Sequence, residues 1–319
     1  MAKKNSAERK DSAQVRKAVA VGREAAKQLD QKRKASLRKR EQAIKAARAT
    51  AKARAVQVAP QRIQAMGAKG IATLVAEGDS WFDYFWYDVL DVLEEGGYDV
   101  EDDAHAGNRV EDMAYGDNQL PRFRRLIEKL VRRGDVPKAI LFSGGGNDIA
   151  GEEFALLLDH ARSAAPGLNE DVVRGIIDVR VRNAYLCFLS AVTETCTRVI
   201  GRKVPILVHG YAYAVPDGRG VLGGAWILPG PWLRPGFHQK GFGDPVHNQA
   251  VVAALIDRFN AMLEWLPSAP GLDHVHYVDL RKALPSASGY REWWGNELHP
   301  TKKGFHAVAH EFFAKLASL

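Results

Sequence analysis

From residue 71 onward, short apolar runs rich in β-branched residues alternate with longer stretches of helical period. The runs are Ile71–Ala76, Tyr98–Asp103, Ala139–Phe142, Val204–Val208 and Val275–Val278. Between and after them the pattern predicts helices over Tyr84–Glu95, Gln119–Arg133, Glu170–Ile200 (in one piece or two) and Val246–Leu266, with a last one from about Thr301 to Leu319. Short strands separated by amphipathic helices imply an α/β fold with a parallel sheet covered on both faces. Five strands fit a flavodoxin-like three-layer sandwich in the order 2-1-3-4-5. The ligand crevice of such a sheet lies at the carboxyl ends of its strands.

Two segments depart from the alternation. Gly210–Pro245 is rich in Gly and Pro and carries Tyr211, Tyr213, Trp226, Trp232, Phe237 and Phe242. A structureless loop this long is usually functional or disordered, and its aromatic content argues against disorder. It is expected to form a lid or pocket wall. Residues 1–58 are dominated by Ala, Lys, Arg and Gln, strong helix formers, with sparse large apolar residues such as Val15, Val19, Leu29, Leu37 and Ile44. They read as a solvated helix or helix pair, and a Pro60–Gly70 stretch closes them. The expected division is an arm over 1–68, helical or partly disordered, and a globular domain over 69–319.

Charge sharpens that division. Residues 1–70 hold 20 of the 45 Lys/Arg and 5 of the 38 Asp/Glu, a balance of +15, which leaves −8 on residues 71–319. A basic arm on an acidic body is an electrostatic footprint for nucleic acid or an anionic membrane face. The arm has no aromatic residue, so any polyanion contact of residues 1–58 is expected to be sequence-blind and salt-sensitive. At 46% hydrophobic residues a wholly disordered chain is excluded. Cys187 and Cys196, the only cysteines, exclude a disulfide scaffold. No run approaches the ~20 apolar residues of a spanning helix, and the start lacks an apolar signal core. It is similar to an organellar transit peptide, but Lys and Arg recur to Arg54, further than a cleavable leader requires. A cytoplasmic protein, not integral to a membrane, is expected. Oligomeric state is not legible.

Candidate chemistry gathers after the strands. The first run ends in Glu77-Gly78-Asp79-Ser80, which sets Ser80 at a strand-to-helix turn. There the unpaired N–H groups of a helix start favour developing negative charge. Such a serine is also the ordinary helix N-cap. The second run leads into His105-Ala106-Gly107-Asn108-Arg109 and the third into Ser143-Gly144-Gly145-Gly146-Asn147-Asp148. Each offers glycines, which admit close backbone approach, followed by a side-chain amide. His299, in Gly295-Asn296-Glu297-Leu298-His299-Pro300, precedes the last helix. A nucleophile, two kinds of oxyanion donor and a base are the inventory of acyl transfer. Asp79 and Asp148 suit loop-holding hydrogen bonds. The aromatic run after Ser80 suits the core, with Trp81 available to an acyl pocket beside Tyr211 and Trp226. His209 suits a structural or substrate-contacting role, and Arg109 an anionic substrate group. Asp102, Asp103 and His105 have no distinctive ligand spacing, so neither metal nor cofactor is expected.

These blocks resemble the SGNH (GDSL-like) hydrolase superfamily over about residues 71–319. Gly78-Asp79-Ser80 is similar to its first block, Gly107 to its second, Gly145-Gly146-Asn147-Asp148 to its third and His299-Pro300 to the end of its last. The resemblance implies a serine esterase or lipase in which Ser80 attacks an ester or thioester and His299 accepts its proton. The oxyanion would then meet the Ser80 and Gly107 N–H groups and the Asn147 amide. One position departs: the family usually has Asp three residues before its His, and here Asn296 stands there. In serine proteases an Asp-to-Asn change costs about 10⁴ in rate, through the wrong imidazole tautomer. Three alternatives follow. A Ser80–His299 dyad works alone; Glu297 or Glu292 takes over; or the chain is a weak or dead hydrolase-like scaffold whose arm docks on a polyanion. A carbohydrate O-acetyl esterase or transferase is a further reading of the same serine.

Overall fold

The computed structural model describes residues 13, 15–24, 26–27, 31, 71–85, 87–221 and 229–319. Seven strands form: β1 Thr73–Glu77, β2 Asp99–Asp102, β3 Ala139–Phe142, β4 Leu158–Asp159, β5 Gly167–Leu168, β6 Ile206–His209 and β7 Val275–Val278. Five of them make one sheet in the order β2-β1-β3-β6-β7, every pairing parallel. This is the expected flavodoxin-like order. The registers Leu74↔Ala139 and Ile206↔Val275 bring the strands' carboxyl ends to one edge. Every side chain of β1, β3 and β6 is buried, because a parallel sheet is covered by helices on both faces. The exposed edge strand β2 carries Asp99, Glu101 and Asp102 instead, which discourages further strand addition.

Helix Val89–Glu95 packs on helix Lys302–Ala317, while Val110–Tyr115 and Gln119–Arg133 pack on Arg182–Ile200. Aromatic contacts bind sheet and helices: Phe142 stacks on Phe188 at 4.2 Å and Phe82 meets Phe312 edge-on at 5.9 Å. Gln119–Arg133 ends at Gly134, whose φ of 87° is the left-handed cap that glycine adopts freely.

Three expectations need correction. Helix Tyr84–Glu95 starts only at Val89, because Asp88 caps it. The Asp88 carboxylate accepts from the Leu90 and Asp91 N–H groups, and Asp91 accepts from the Asp88 N–H, a reciprocal capping box. Residues 79–82 form a turn closed by the Phe82 N–H on the Asp79 carbonyl, 3.0 Å, so no α-helix dipole stands behind Ser80. Glu170–Ile200 runs as an α-turn Glu170–Val173, a π-helical stretch Arg174–Val181 and the α-helix Arg182–Ile200.

The third correction concerns the arm. Residues 15–24 are helical, and Val15, Ala18, Val19 and Ala26 are buried in the main core. Arg124 Nη1 donates to the Ala26 carbonyl at 3.4 Å, and Arg23 lies 3.7 Å from Glu194. A Cβ on Gly22 would fall 2.3 Å from the Cys187 carbonyl oxygen, so glycine there lets the arm approach helix Arg182–Ile200. For this stretch the solvated-helix reading fails. Most of residues 1–58, to which the polyanion contact was assigned, and the 68/69 boundary lie outside the described residues. Cys187 and Cys196 are buried free thiols, pushed up to about 11 and 12 by desolvation. Among the described residues no helix is long and apolar enough to cross a membrane.

Candidate active site

The carboxyl end of β1 delivers Ser80 through Gly78 and Asp79. A Cβ on Gly78 would lie 2.7 Å from Ser143 Cβ, so glycine allows the loops after β1 and β3 to pack side by side. Asp79 is buried and holds that junction. Its Oδ1 accepts from the Trp81 N–H at 3.0 Å and from Ser143 Oγ at 2.7 Å, and its Oδ2 accepts from the Tyr211 hydroxyl at 2.5 Å. That hydroxyl in turn accepts from the Gly146 N–H at 3.0 Å. One carboxylate therefore ties the loops after β1, β3 and β6. Asp148 acts likewise, accepting from the Val110 N–H at 3.0 Å, with its carboxyl pushed up to about 6 by burial.

The loop after β2 joins the same edge. Gly107 has a φ of 89°, and the Asn108 amide donates to the Gly78 carbonyl at 3.1 Å. Asn147 Nδ2 donates to the Asn108 carbonyl at 2.9 Å. An amide carries two N–H donors, so Asn147 keeps a second one for a ligand. His299 arrives from the loop before helix Lys302–Ala317. Its Nε2 is 2.7 Å from Ser80 Oγ, a direct hydrogen bond between residues 219 apart in sequence.

Behind the imidazole, Nδ1 lies 3.1 Å from Asn296 Oδ1. That oxygen also accepts from the Leu298 and His299 N–H groups at 2.9 and 2.8 Å, while Asn296 Nδ2 donates to the Tyr84 hydroxyl at 3.1 Å. The Tyr84 ring stacks on the imidazole, centroids 4.4 Å apart and planes 17° apart, and Trp232 meets its edge at 5.4 Å. Burial without a facing carboxylate lowers the His299 pKa to about 3. The resting imidazole is neutral.

Neither glutamate backs the histidine. Glu297 is fully buried, but its two oxygens point away from the ring. They accept from the Gly218, Trp232, Leu233 and Arg234 N–H groups at 2.9, 2.6, 2.8 and 3.1 Å. Desolvation raises its pKa, and those N–H groups oppose the rise. Glu297 is the clasp that holds the Gly/Pro/aromatic insertion against the histidine loop. Glu292 is exposed and pairs with Lys303 at 2.8 Å. Arg109 is half-exposed and tied to Glu153 at 2.6 Å, and it does not line the cavity beside Ser80. His209 is buried under Trp81, its ring Nδ1 2.7 Å from the Gly210 carbonyl, and stays outside the same lining. Trp226 lies outside the described residues.

That cavity encloses about 580 Å³ counted out to its opening. Ser80, His299, Asn147, Trp81 and Tyr211 line it together with Ile149, Leu233, Val252, Leu255 and Ile256. The aliphatic wall comes largely from helix Pro245–Trp265 and the insertion. The structure thus brings Ser80, His299, Asn296, Asn147, Trp81 and Tyr211 to one place, with Gly107 adjoining through Asn108. Tyr84, the Glu297 clasp and the aliphatic wall were missed in the sequence. A signal for Tyr84 was present: Asp88 and Asp91, spaced as a capping pair, release it from the helix.

With the geometry described, comparison with known proteins decides the family. The model of the GDSL-like lipase/acylhydrolase family matches residues 65–312. The chain belongs to that family. It is therefore a hydrolase of the ester-cleaving GDSL/SGNH type in its general class. Among solved structures it is similar to the lipase Lip_vut3 from a goat rumen metagenome, with 16% identity, 76% of this chain and 96% of that chain covered, and a TM-score of 0.49. It is also similar to TesA, at 13% identity, 77% and 98% coverage and a TM-score of 0.41. A third is a carbohydrate esterase of family 3 from Talaromyces cellulolyticus, at 14% identity, 78% and 97% coverage and a TM-score of 0.38. A search of curated proteins found no match.

Proposed function

We propose that this chain hydrolyses carboxylic esters with an apolar acyl group through an acyl-enzyme on Ser80. The observation that carries the reading is the 2.7 Å contact of Ser80 Oγ with His299 Nε2 beside an aliphatic cavity. His299 Nε2 takes the hydroxyl proton as Oγ bonds to the carbonyl carbon. The carbonyl oxygen becomes an oxyanion facing the Ser80 N–H, the Gly107 N–H and the free N–H of Asn147. Each such donor is worth about 3 kcal/mol in the transition state. Collapse breaks the bond to the alkoxy oxygen, which leaves with the proton from Nε2 as an alcohol. Water then attacks the acyl-enzyme, gives its proton to Nε2 and releases the carboxylic acid and Ser80. The wall of Ile149, Leu233, Leu255 and Ile256 favours an acyl chain over the acetyl group of a carbohydrate ester, since each buried methylene contributes about 0.8 kcal/mol.

The test is hydrolysis of p-nitrophenyl esters from acetate to octanoate by the full chain. Wild type is expected to prefer chains longer than acetate, and Ser80→Ala is expected to lose at least about a thousandfold in kcat. Ser80→Ala with wild-type turnover, or no turnover of any ester by wild type, refutes the reading and favours the scaffold alternative.

A further inference from the structure

The residue that backs His299 is an amide, and an amide has two faces. If Asn296 presents oxygen, the imidazole keeps its proton on Nδ1 and its lone pair on Nε2, toward Ser80. If it presents nitrogen, the proton moves to Nε2, where the ring cannot accept from the serine. That wrong tautomer is what makes the Asp-to-Asn change cost about 10⁴ in serine proteases.

Here the amide is held by groups that tell its ends apart. The Leu298 and His299 N–H groups converge on a single terminal atom of Asn296, at 2.9 and 2.8 Å. Only an oxygen accepts both, so the carbonyl face toward Nδ1 follows from the network. The other terminal atom is then the NH₂, and it donates to the Tyr84 hydroxyl at 3.1 Å. The same tyrosine lays its ring on the imidazole, 4.4 Å away and nearly parallel. It reaches that position because the Asp88 capping box starts the helix at Val89 and leaves residue 84 on the preceding loop.

We propose that Tyr84 is a positioning residue that, with Asn296, replaces the missing carboxylate: its hydroxyl fixes the amide with oxygen toward His299 and its ring covers the imidazole. The proposal rests on His299 serving as the base. Rotating the amide would break the bond to Tyr84 and set an NH₂ against two backbone donors. When the ring takes the serine proton, the cation forms against an aromatic face, which attracts it. The lock thus protects the tautomer, and the face partly compensates for the absent negative charge.

The tautomer is read directly from two-bond ¹H–¹⁵N spectra of the full chain labelled at histidine, alongside kcat and KM on a p-nitrophenyl ester. Wild type is expected to show His299 protonated at Nδ1. Tyr84→Phe keeps the ring and removes the hydroxyl. It is expected to bring in the Nε2-protonated form and to lower kcat about fivefold, the worth of one hydrogen bond, with KM unchanged. In an Asn296→Asp background, where no wrong face exists, Tyr84→Phe is expected to change kcat less than about twofold. An Nε2-protonated wild type overturns the proposal. So does a Tyr84→Phe variant with the wild-type spectrum and kcat, which assigns the whole lock to the two backbone N–H groups. An equal loss in both backgrounds makes Tyr84 a packing residue and also overturns it. If the spectra behave as expected but no ester is turned over, the lock stands and the ester-hydrolase reading fails instead.

Discussion

Glu297→Gln separates a clasp from a catalytic carboxylate. The four N–H groups around Glu297 come from Gly218, Trp232, Leu233 and Arg234, so every one belongs to the insertion. Oε1 serves Gly218 and Arg234, and Oε2 serves Trp232 and Leu233. Glutamine has the same shape but keeps one oxygen. Its NH₂ faces two of the four donors, whichever way it turns. A buried donor left unpaired costs about 1–3 kcal/mol, so the variant is expected to lose about 2–6 kcal/mol wherever the insertion must stay docked. The loss reaches the site by two routes: Leu233 lines the cavity and Trp232 touches the imidazole edge. Amide hydrogen exchange at residues 218 and 232–234 reports the local opening, urea unfolding reports the global cost, and p-nitrophenyl hexanoate reports the site. The expected result is faster exchange, lower stability and a kcat/KM reduced at least about tenfold. Unchanged exchange and stability with a large fall in kcat would refute the clasp, because only a carboxylate acting on His299 itself behaves that way.

The other expectations are more local. Leu255→Trp fills the aliphatic wall and is expected to lower kcat/KM for octanoate against acetate by at least about tenfold, or 1.4 kcal/mol; an unchanged ratio refutes this cavity as the acyl site. His299, held to about 3 by burial, is neutral at every pH above that value. As a base it loses activity only as pH falls through it, so the acid limb of kcat/KM should lie far below the ordinary histidine value near 6.5. Asn296→Asp should move that limb upward, because a facing carboxylate favours the imidazolium; a wild-type limb between pH 6 and 7 contradicts the burial argument. Val19→Asp sets a carboxylate against the core contacts of the arm and is expected to cost about 2–4 kcal/mol in unfolding. It should leave kcat within about twofold, since the arm's contacts are with Arg124, Cys187 and Glu194 and not with the cavity. An unchanged melting temperature would mean the arm does not dock.

The order of the sheet was legible because it depends on period alone. Each apolar run was read to within two residues at either end, since a strand buried on both faces tolerates few polar positions. Helix starts were less legible. Tyr84–Glu95 carries helical spacing throughout, but spacing does not say where a side chain intercepts the backbone. The Asp88 carboxylate, bonded to Leu90 and Asp91, outcompeted one further turn of helix. The arm misled for a related reason. Its apolar residues are too few for a core of their own, yet Val15, Val19 and Ala26 suffice when helix Arg182–Ile200 supplies the other half. Composition measures what a segment can bury alone, not what a neighbour offers it.

The same distinction governs the site. Ser80, Asn147 and His299 were visible because each stands in a short block whose residue types have few other uses together. The parallel topology alone then carries the blocks to one sheet edge. What surrounds them was not visible, because it depends on which way a side chain faces. Asn296 and Glu297 are neighbours, both buried, yet one turns to the imidazole and the other to four N–H groups from 63 to 79 residues away. The acidic residue looked like the natural orienter and is instead spent on the insertion, while the neutral one holds the ring. A carboxylate satisfied by four donors has no free lone pair to offer an imidazole. The two tasks are therefore mutually exclusive at Glu297, and the amide at residue 296 needs a partner such as Tyr84 that can tell its oxygen from its nitrogen.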